Sequence, residues 1–244
     1  MNEYLKTYID YRLRTNFIGI NRLEIKYVKK LDIKHKKKIA KDNHIPIELL
    51  DENPSEEAQL EAVKQFGYNI KFIENPSEEM KLEAVKSFGE AIKYIKNPSE
   101  QVQLEAVKKD GGVIQYIKNP SEQLQLEAVK NSGWALQYIK NPTEEMKLEA
   151  VRKTGHVIKY IQNPSEEIQL EAVREDGRAI MSIKNPTEQV QLEAVRNEGG
   201  AINYIKNPSE KAQLEAVRKT KWALDYIKNP TPKVIELHKQ LWEQ

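Results

Sequence analysis

Residues 119–140 read NPSEQLQLEAVKNSGWALQYIK, and almost the same line is written eight times along the chain. Asn-Pro recurs at Asn53, Asn75, Asn97, Asn119, Asn141, Asn163, Asn185, Asn207 and Asn229. The period is 22 residues without an insertion; eight full copies run over residues 53–228, and a ninth begins and diverges. An unbroken period of this length means that each copy is one supersecondary unit stacked on the last.

Slots are numbered here from the Asn of each copy. Slots 1 to 4 read Asn-Pro-Ser/Thr-Glu. Asn is a good N-cap, Pro suits the first helical position, and Glu beyond it completes a capping-box pattern. Leu-Glu-Ala-Val-Lys/Arg follows, with strong helix formers, and Gly at slot 15 in seven of eight copies reads as the stop. The pattern predicts a long helix over slots 2 to 13. Apolar residues at slots 17, 18 and 21 mark one face of a short helix, α or 3₁₀, ended by the next Asn-Pro. A strand over slots 17–21 is the competing reading, because Ile and Tyr favour strands. The three-and-four spacing favours helix.

The expectation is an all-α protein: an α-solenoid of eight 22-residue long-helix/short-helix repeats with helical N- and C-terminal caps. On NPSE, LEAV and the Gly, over residues 53–228, the sequence resembles short helical-repeat families in the broad class of HEAT, armadillo and variant leucine-rich repeats. The resemblance implies a binding scaffold without chemistry of its own; it is a likeness of architecture, and architecture does not assign function. Residues 1–52 do not repeat and read as a basic helical cap, with Lys34, Lys36, Lys37 and Lys38 on a solvated helix face. Residues 229–244 read as a C-terminal capping helix.

Charge narrows the function classes. The net formal charge is +2; residues 1–52 contribute 12 Lys/Arg against 8 Asp/Glu, and the remainder 27 against 29. Nothing in that balance drives the repeats towards nucleic acid or a membrane surface. No run of about 18 apolar residues is present to span a bilayer. There are no cysteines, which excludes disulfides and suits a reducing cytoplasm. The four histidines, His35, His44, His156 and His238, share no metal-ligand spacing on one helix, and no phosphate loop or nucleophile elbow occurs. The sequence therefore predicts no enzyme, no cofactor, no metal and no small-molecule substrate.

The eight copies compare themselves. Slots 8, 10 and 11 are Leu, Ala and Val throughout, and slot 6 is always apolar; these form the expected buried face. Slot 20 is aromatic except at Ser182 and reads as half-buried core. Slot 9 is Glu and slot 12 Lys or Arg in every copy, a predicted ladder of ion pairs such as Glu127 with Lys130 and Glu149 with Arg152. Slot 22 is Lys in six copies and is the less neutralised row.

Variation collects at slots 13, 14, 16 and 19. Slots 16 and 19 share the face of the short helix opposite the packed one. Exposed positions also diverge when nothing constrains them, yet slots 4 and 9 have diverged in no copy. Trp, Tyr and Arg among the variable residues are the types enriched at binding hot spots. The candidate partner-binding residues are Tyr68, Lys71, Glu90, Lys93, Trp134, Gln137, His156, Lys159, Arg178, Met181, Trp222 and Asp225. The expected partner is another protein, held by an adaptor or an inhibitor. The alternative is single-stranded RNA or DNA, read by short-helix residues with the slot-22 lysines on phosphates.

Overall fold

The computed structural model describes Val28, Lys29, Lys36, Asp51 and residues 53–243. The expectations for the 1–52 cap and for the Lys34–Lys38 cluster otherwise fall outside the described residues. The chain divides into two compact units, residues 1–119 and 120–244. In the first, long helices Glu56–Gln65, Glu78–Ser87 and Glu100–Lys109 alternate with 3₁₀ helices Gly67–Phe72, Gly89–Tyr94 and Gly111–Tyr116. In the second, the long helices are Glu122–Asn131, Glu144–Lys153, Glu166–Glu175, Glu188–Asn197 and Glu210–Lys219. Their 3₁₀ partners are Gly133–Tyr138, Gly155–Tyr160, Gly177–Ser182 and Gly199–Tyr204; the last is a short α-helix, Ala223–Tyr226, before a terminal helix, Pro232–Trp242. No strand occurs among the described residues, and the α-solenoid stands, each long helix packing on its neighbour within its unit.

Each long helix starts two residues later than the sequence suggests. The cap is the Ser or Thr of slot 3, in extended conformation, whose hydroxyl accepts the N–H three residues on, as Ser165 does from Ile168 at 3.3 Å. In four repeats Asn cannot serve, being left-handed there (Asn97 φ 48°, Asn119 52°, Asn163 50°, Asn185 53°), whereas an N-cap needs extended backbone; in the others the Ser or Thr hydroxyl likewise takes the cap hydrogen bond. The job of the left-handed Asn is the chain reversal before Pro, a conformation that Asn tolerates better than most residues. Gln at slot 7 then ties the reversal to the helix: Gln169 Nε2 donates to Pro164 C=O at 2.9 Å.

The glycines also differ from expectation. The helix closes on slot 14, whose extended residue donates its N–H to the slot-10 Ala carbonyl, as Asp176 does to Ala172 at 3.0 Å. Gly at slot 15 opens the 3₁₀ helix, and its φ is not left-handed. It is there because the next repeat's long helix passes too close for a side chain. A Cβ on Gly177 would lie 2.6 Å from the Ala194 carbonyl oxygen, and one on Gly133 2.7 Å from that of Ala150. Gly and Ala therefore work as a pair, one in each of two neighbouring repeats.

The interior is regular. Slots 6, 10 and 11 supply it from the long helices, with Ala and Val at slots 10 and 11 essentially sealed from solvent, and slots 17, 18 and 21 supply it from the short ones. Burying each Val or Ile contributes about 1.5–3 kcal/mol. Leu at slot 8 is only half-buried in repeats one to seven, because it sits beyond the contact of neighbouring helices; only Leu214 is buried. In the second unit the terminal helix packs on Glu210–Lys219, burying Val234 and donating from Trp242 Nε1 to Val217 C=O at 2.7 Å.

Candidate partner-binding edge

The first two turns of each repeat's connection decide what the edge displays. Slot 14 is the cap of the 3₁₀ helix, and slots 16 and 19 fall on that helix's open face. Asp176 Oδ1 accepts the Arg178 N–H at 2.8 Å, and Asp110 Oδ1 accepts that of Gly112 at 2.8 Å. Every candidate residue lies on one of these short helices or, for Trp222, at the cap of the last one.

In the first unit, Tyr68 and Tyr94 meet edge to face, ring centroids 5.3 Å apart and planes at 86°. Lys71 Nζ lies 3.8 Å from the Tyr68 centroid and 4.4 Å from that of Phe72. Hydrogen bonding by Lys71, and by Tyr94, holds the Tyr68 phenol below its ordinary pKa, while burial and then the Tyr68 bond push Tyr94 up. Lys93 donates to Glu90 at 2.8 Å, which raises its pKa, and stands over the rings of Tyr94 and Tyr116 at 5.3 and 5.7 Å.

The second unit repeats the scheme with other residues. Trp134 meets Tyr160 edge to face at 6.2 Å, and Lys159 Nζ stands 5.0 and 4.9 Å from the two rings. Gln137 Nε2 donates back to the Trp134 carbonyl at 3.1 Å. His156 Nδ1 is 3.0 Å from Asp176 Oδ2. Arg178 Nε donates to both oxygens of Glu198, at 2.9 and 2.8 Å, which raises the guanidinium pKa. Met181 and Trp222 are the most open of the apolar candidates, 59% and 58% exposed, and Lys221 Nζ lies 4.5 Å from the Trp222 ring. Asp225 is exposed beside them.

At Tyr68, Trp134, His156 and Arg178, slot 16 of a repeat reaches slot 14 or slot 20 of the next, whereas Glu90 pairs with Lys93 of its own repeat. The edge is thus a chain of inter-repeat contacts, and its residues are brought together in consecutive groups. Two features go beyond the sequence reading. Slot 20 is open to solvent from the third repeat on, with Tyr116, Tyr138, Tyr160, Tyr204 and Tyr226 all 40–48% exposed, whereas Phe72 is buried. Phe66 and Phe88, at slot 14, add two exposed rings in the first unit. Slot 13, conversely, belongs partly to the scaffold: Ser87, Glu175 and Asn197 accept the slot-15 Gly N–H of the preceding repeat.

The ion-pair ladder is present on the long helices, as in Glu83–Lys86 at 3.0 Å and Glu171–Arg174 at 2.9 Å. Arg152, however, turns from Glu149 to Glu171 of the next repeat at 3.0 Å, so the ladder also runs between repeats. Glu127 and Lys130 form no such pair among the described residues. Those residues include no group of three or more His, Cys, Asp or Glu fit to hold a metal, and no helix long and apolar enough to cross a membrane. No protein-family model, curated protein or solved structure matches the chain.

Proposed function

We propose that this chain is a non-enzymatic scaffold that binds another protein along the 3₁₀ edge, as an adaptor or as an inhibitor covering a partner's working surface. The observation that carries the reading is a coincidence. The slots that vary most between otherwise uniform repeats are those whose side chains assemble into exposed aromatic, cationic and anionic groups, with Trp134 40% exposed over Tyr160 and Lys159. A surface held by packed repeats is preorganised, so binding costs little ordering entropy. Exposed Trp and Arg are the side chains best suited to anchor such a contact. The cysteine-free sequence fits a reducing compartment such as the cytoplasm.

The test is affinity capture from the source cell with wild-type protein and with Trp134→Ala plus Arg178→Ala. The expected result is a specific protein recovered by the first and lost with the second, at an unchanged melting temperature. Equal recovery overturns the reading. The rival partner, single-stranded nucleic acid, is tested by titration at two salt concentrations; tight, salt-sensitive binding to RNA would replace the protein reading.

A further inference from the structure

The aromatic row has one gap. Slot 20 holds Phe or Tyr in seven repeats and Ser182 in the sixth. The rings on either side in the row, Tyr160 and Tyr204, are 42% and 43% exposed. Loss of a ring from this row therefore leaves a notch in the surface. A groove of about 580 Å³ lies there, with Ser182 in its wall. Its apolar lining is Ile158, Ile161, Ile183 and Pro164, and its cationic lining is Lys159 and Lys184; no carboxylate lines it.

The surroundings bias what can enter. In the second unit, slots 19 and 22 carry Lys140, Lys159, Lys184, Lys206 and Lys228, against a single carboxylate, Asp225. Lys159 already stands over two rings, at 5.0 Å from Trp134 and 4.9 Å from Tyr160, so a further ring here would lie beside a placed cation. The three isoleucines and Pro164 offer a ring an apolar contact, and Gln162, Asn163 and Gln169 border it with groups that can hydrogen-bond a phenol.

We propose that this groove seats one aromatic side chain from an acidic segment of the partner protein. The guest ring takes the place of the absent slot-20 ring, and flanking carboxylates meet Lys184 and Lys159. A single notch fixes the register of an extended peptide on an otherwise periodic edge. A nucleic-acid strand fits less well: it would use one site per repeat, whereas the notch occurs once, at Ser182. The proposal rests on the protein-binding reading above and specifies its anchor.

The experiment labels the isoleucine methyls of the full chain and titrates it by NMR with the peptide acetyl-Glu-Glu-Tyr-Glu-Glu-amide. Controls are the same peptide with Ala in place of Tyr, and oligouridylate. The Tyr peptide should shift the Ile158, Ile161 and Ile183 methyls saturably, and the Ala peptide should bind at least about tenfold more weakly. Ser182→Tyr restores the residue type of the other repeats, so the variant folds, with a melting temperature equal to or above that of the wild type, and the shifts disappear. Absence of shifts in the wild type, shifts undiminished in Ser182→Tyr, or tighter binding of oligouridylate at the same methyls each overturns the proposal. The two readings fail separately. If Trp134→Ala plus Arg178→Ala loses the captured protein while Ser182→Tyr keeps it, the edge stands and the notch falls.

Discussion

Two exposed surfaces of the same repeats behave in opposite ways. The outer face of the long helices is nearly identical from copy to copy, Glu at slot 9 and Lys or Arg at slot 12, paired along and between helices. The 3₁₀ edge, held by the same backbone, differs in almost every copy: Trp134, His156, Arg178 and Gly200 succeed one another at slot 16. Both surfaces meet water, so exposure does not explain the contrast. The helix face interacts with copies of itself, and a residue there must match its equivalents above and below. The edge touches its neighbour through two different slots, so it can change one pair at a time, as His156–Asp176 and Arg178–Glu198 show.

The largest effect should come from breaking the joint that both surfaces share. Gly177→Ala places a methyl 2.6 Å from the Ala194 carbonyl, which must move the next repeat, and should cost about 1–3 kcal/mol. Gly112→Ala, at slot 16 on the edge, meets only the flexible Asp110 carboxylate at 3.2 Å and should stay within about 0.5 kcal/mol. Urea-unfolding midpoints of the two variants compare joint with edge; equal midpoints would deny the contrast.

A smaller effect distinguishes the two possible caps. Ser165→Ala removes the hydroxyl that accepts the Ile168 N–H and should destabilise by about 1 kcal/mol. Asn141→Ala, at a residue that caps nothing, should cost less than Ser165→Ala. Thermal unfolding of both, with the larger loss at Asn141, would restore the cap to Asn.

The smallest effect concerns the ladder. Hydrogen bonds from Arg152, and then from Arg174, hold the Glu171 carboxyl below its ordinary pKa in the folded protein. A depressed folded-state pKa adds stability that is complete above the unfolded-state value and is lost as pH falls through the folded-state value. Glu171→Gln should therefore lower the unfolding midpoint at neutral pH by well under about 1 kcal/mol and leave the acid midpoint nearly unchanged. A loss equal at pH 7 and in acid would mean that packing, and not charge, is what the substitution removed.

The period, the helix pair and the Ala-Val core were legible because they follow from side-chain spacing alone. NPSE misled because it offers two capping residues, Asn and Ser, and only the backbone angle at each decides between them. Gly at slot 15 read as a stop signal because its real constraint, the Ala carbonyl of the next repeat, is 17 residues away in sequence and adjacent only in space. Slot 20 reads as half-buried core, and its actual cover runs from buried Phe72 to Tyr226 at 48% exposed. A ring with a polar tip suits core and surface alike, so residue type alone does not decide how far each ring is covered.

The eighth repeat carries Lys221 where its seven predecessors carry Gly. One period beyond the alanines that close the other joints stands His238, whose Nε2–H donates to the Lys221 carbonyl at 2.8 Å. A joint made by the absence of a side chain is replaced by one made through a side chain. The last joint thus depends on a single hydrogen bond from a side chain, where the others depend on two stretches of backbone lying close together.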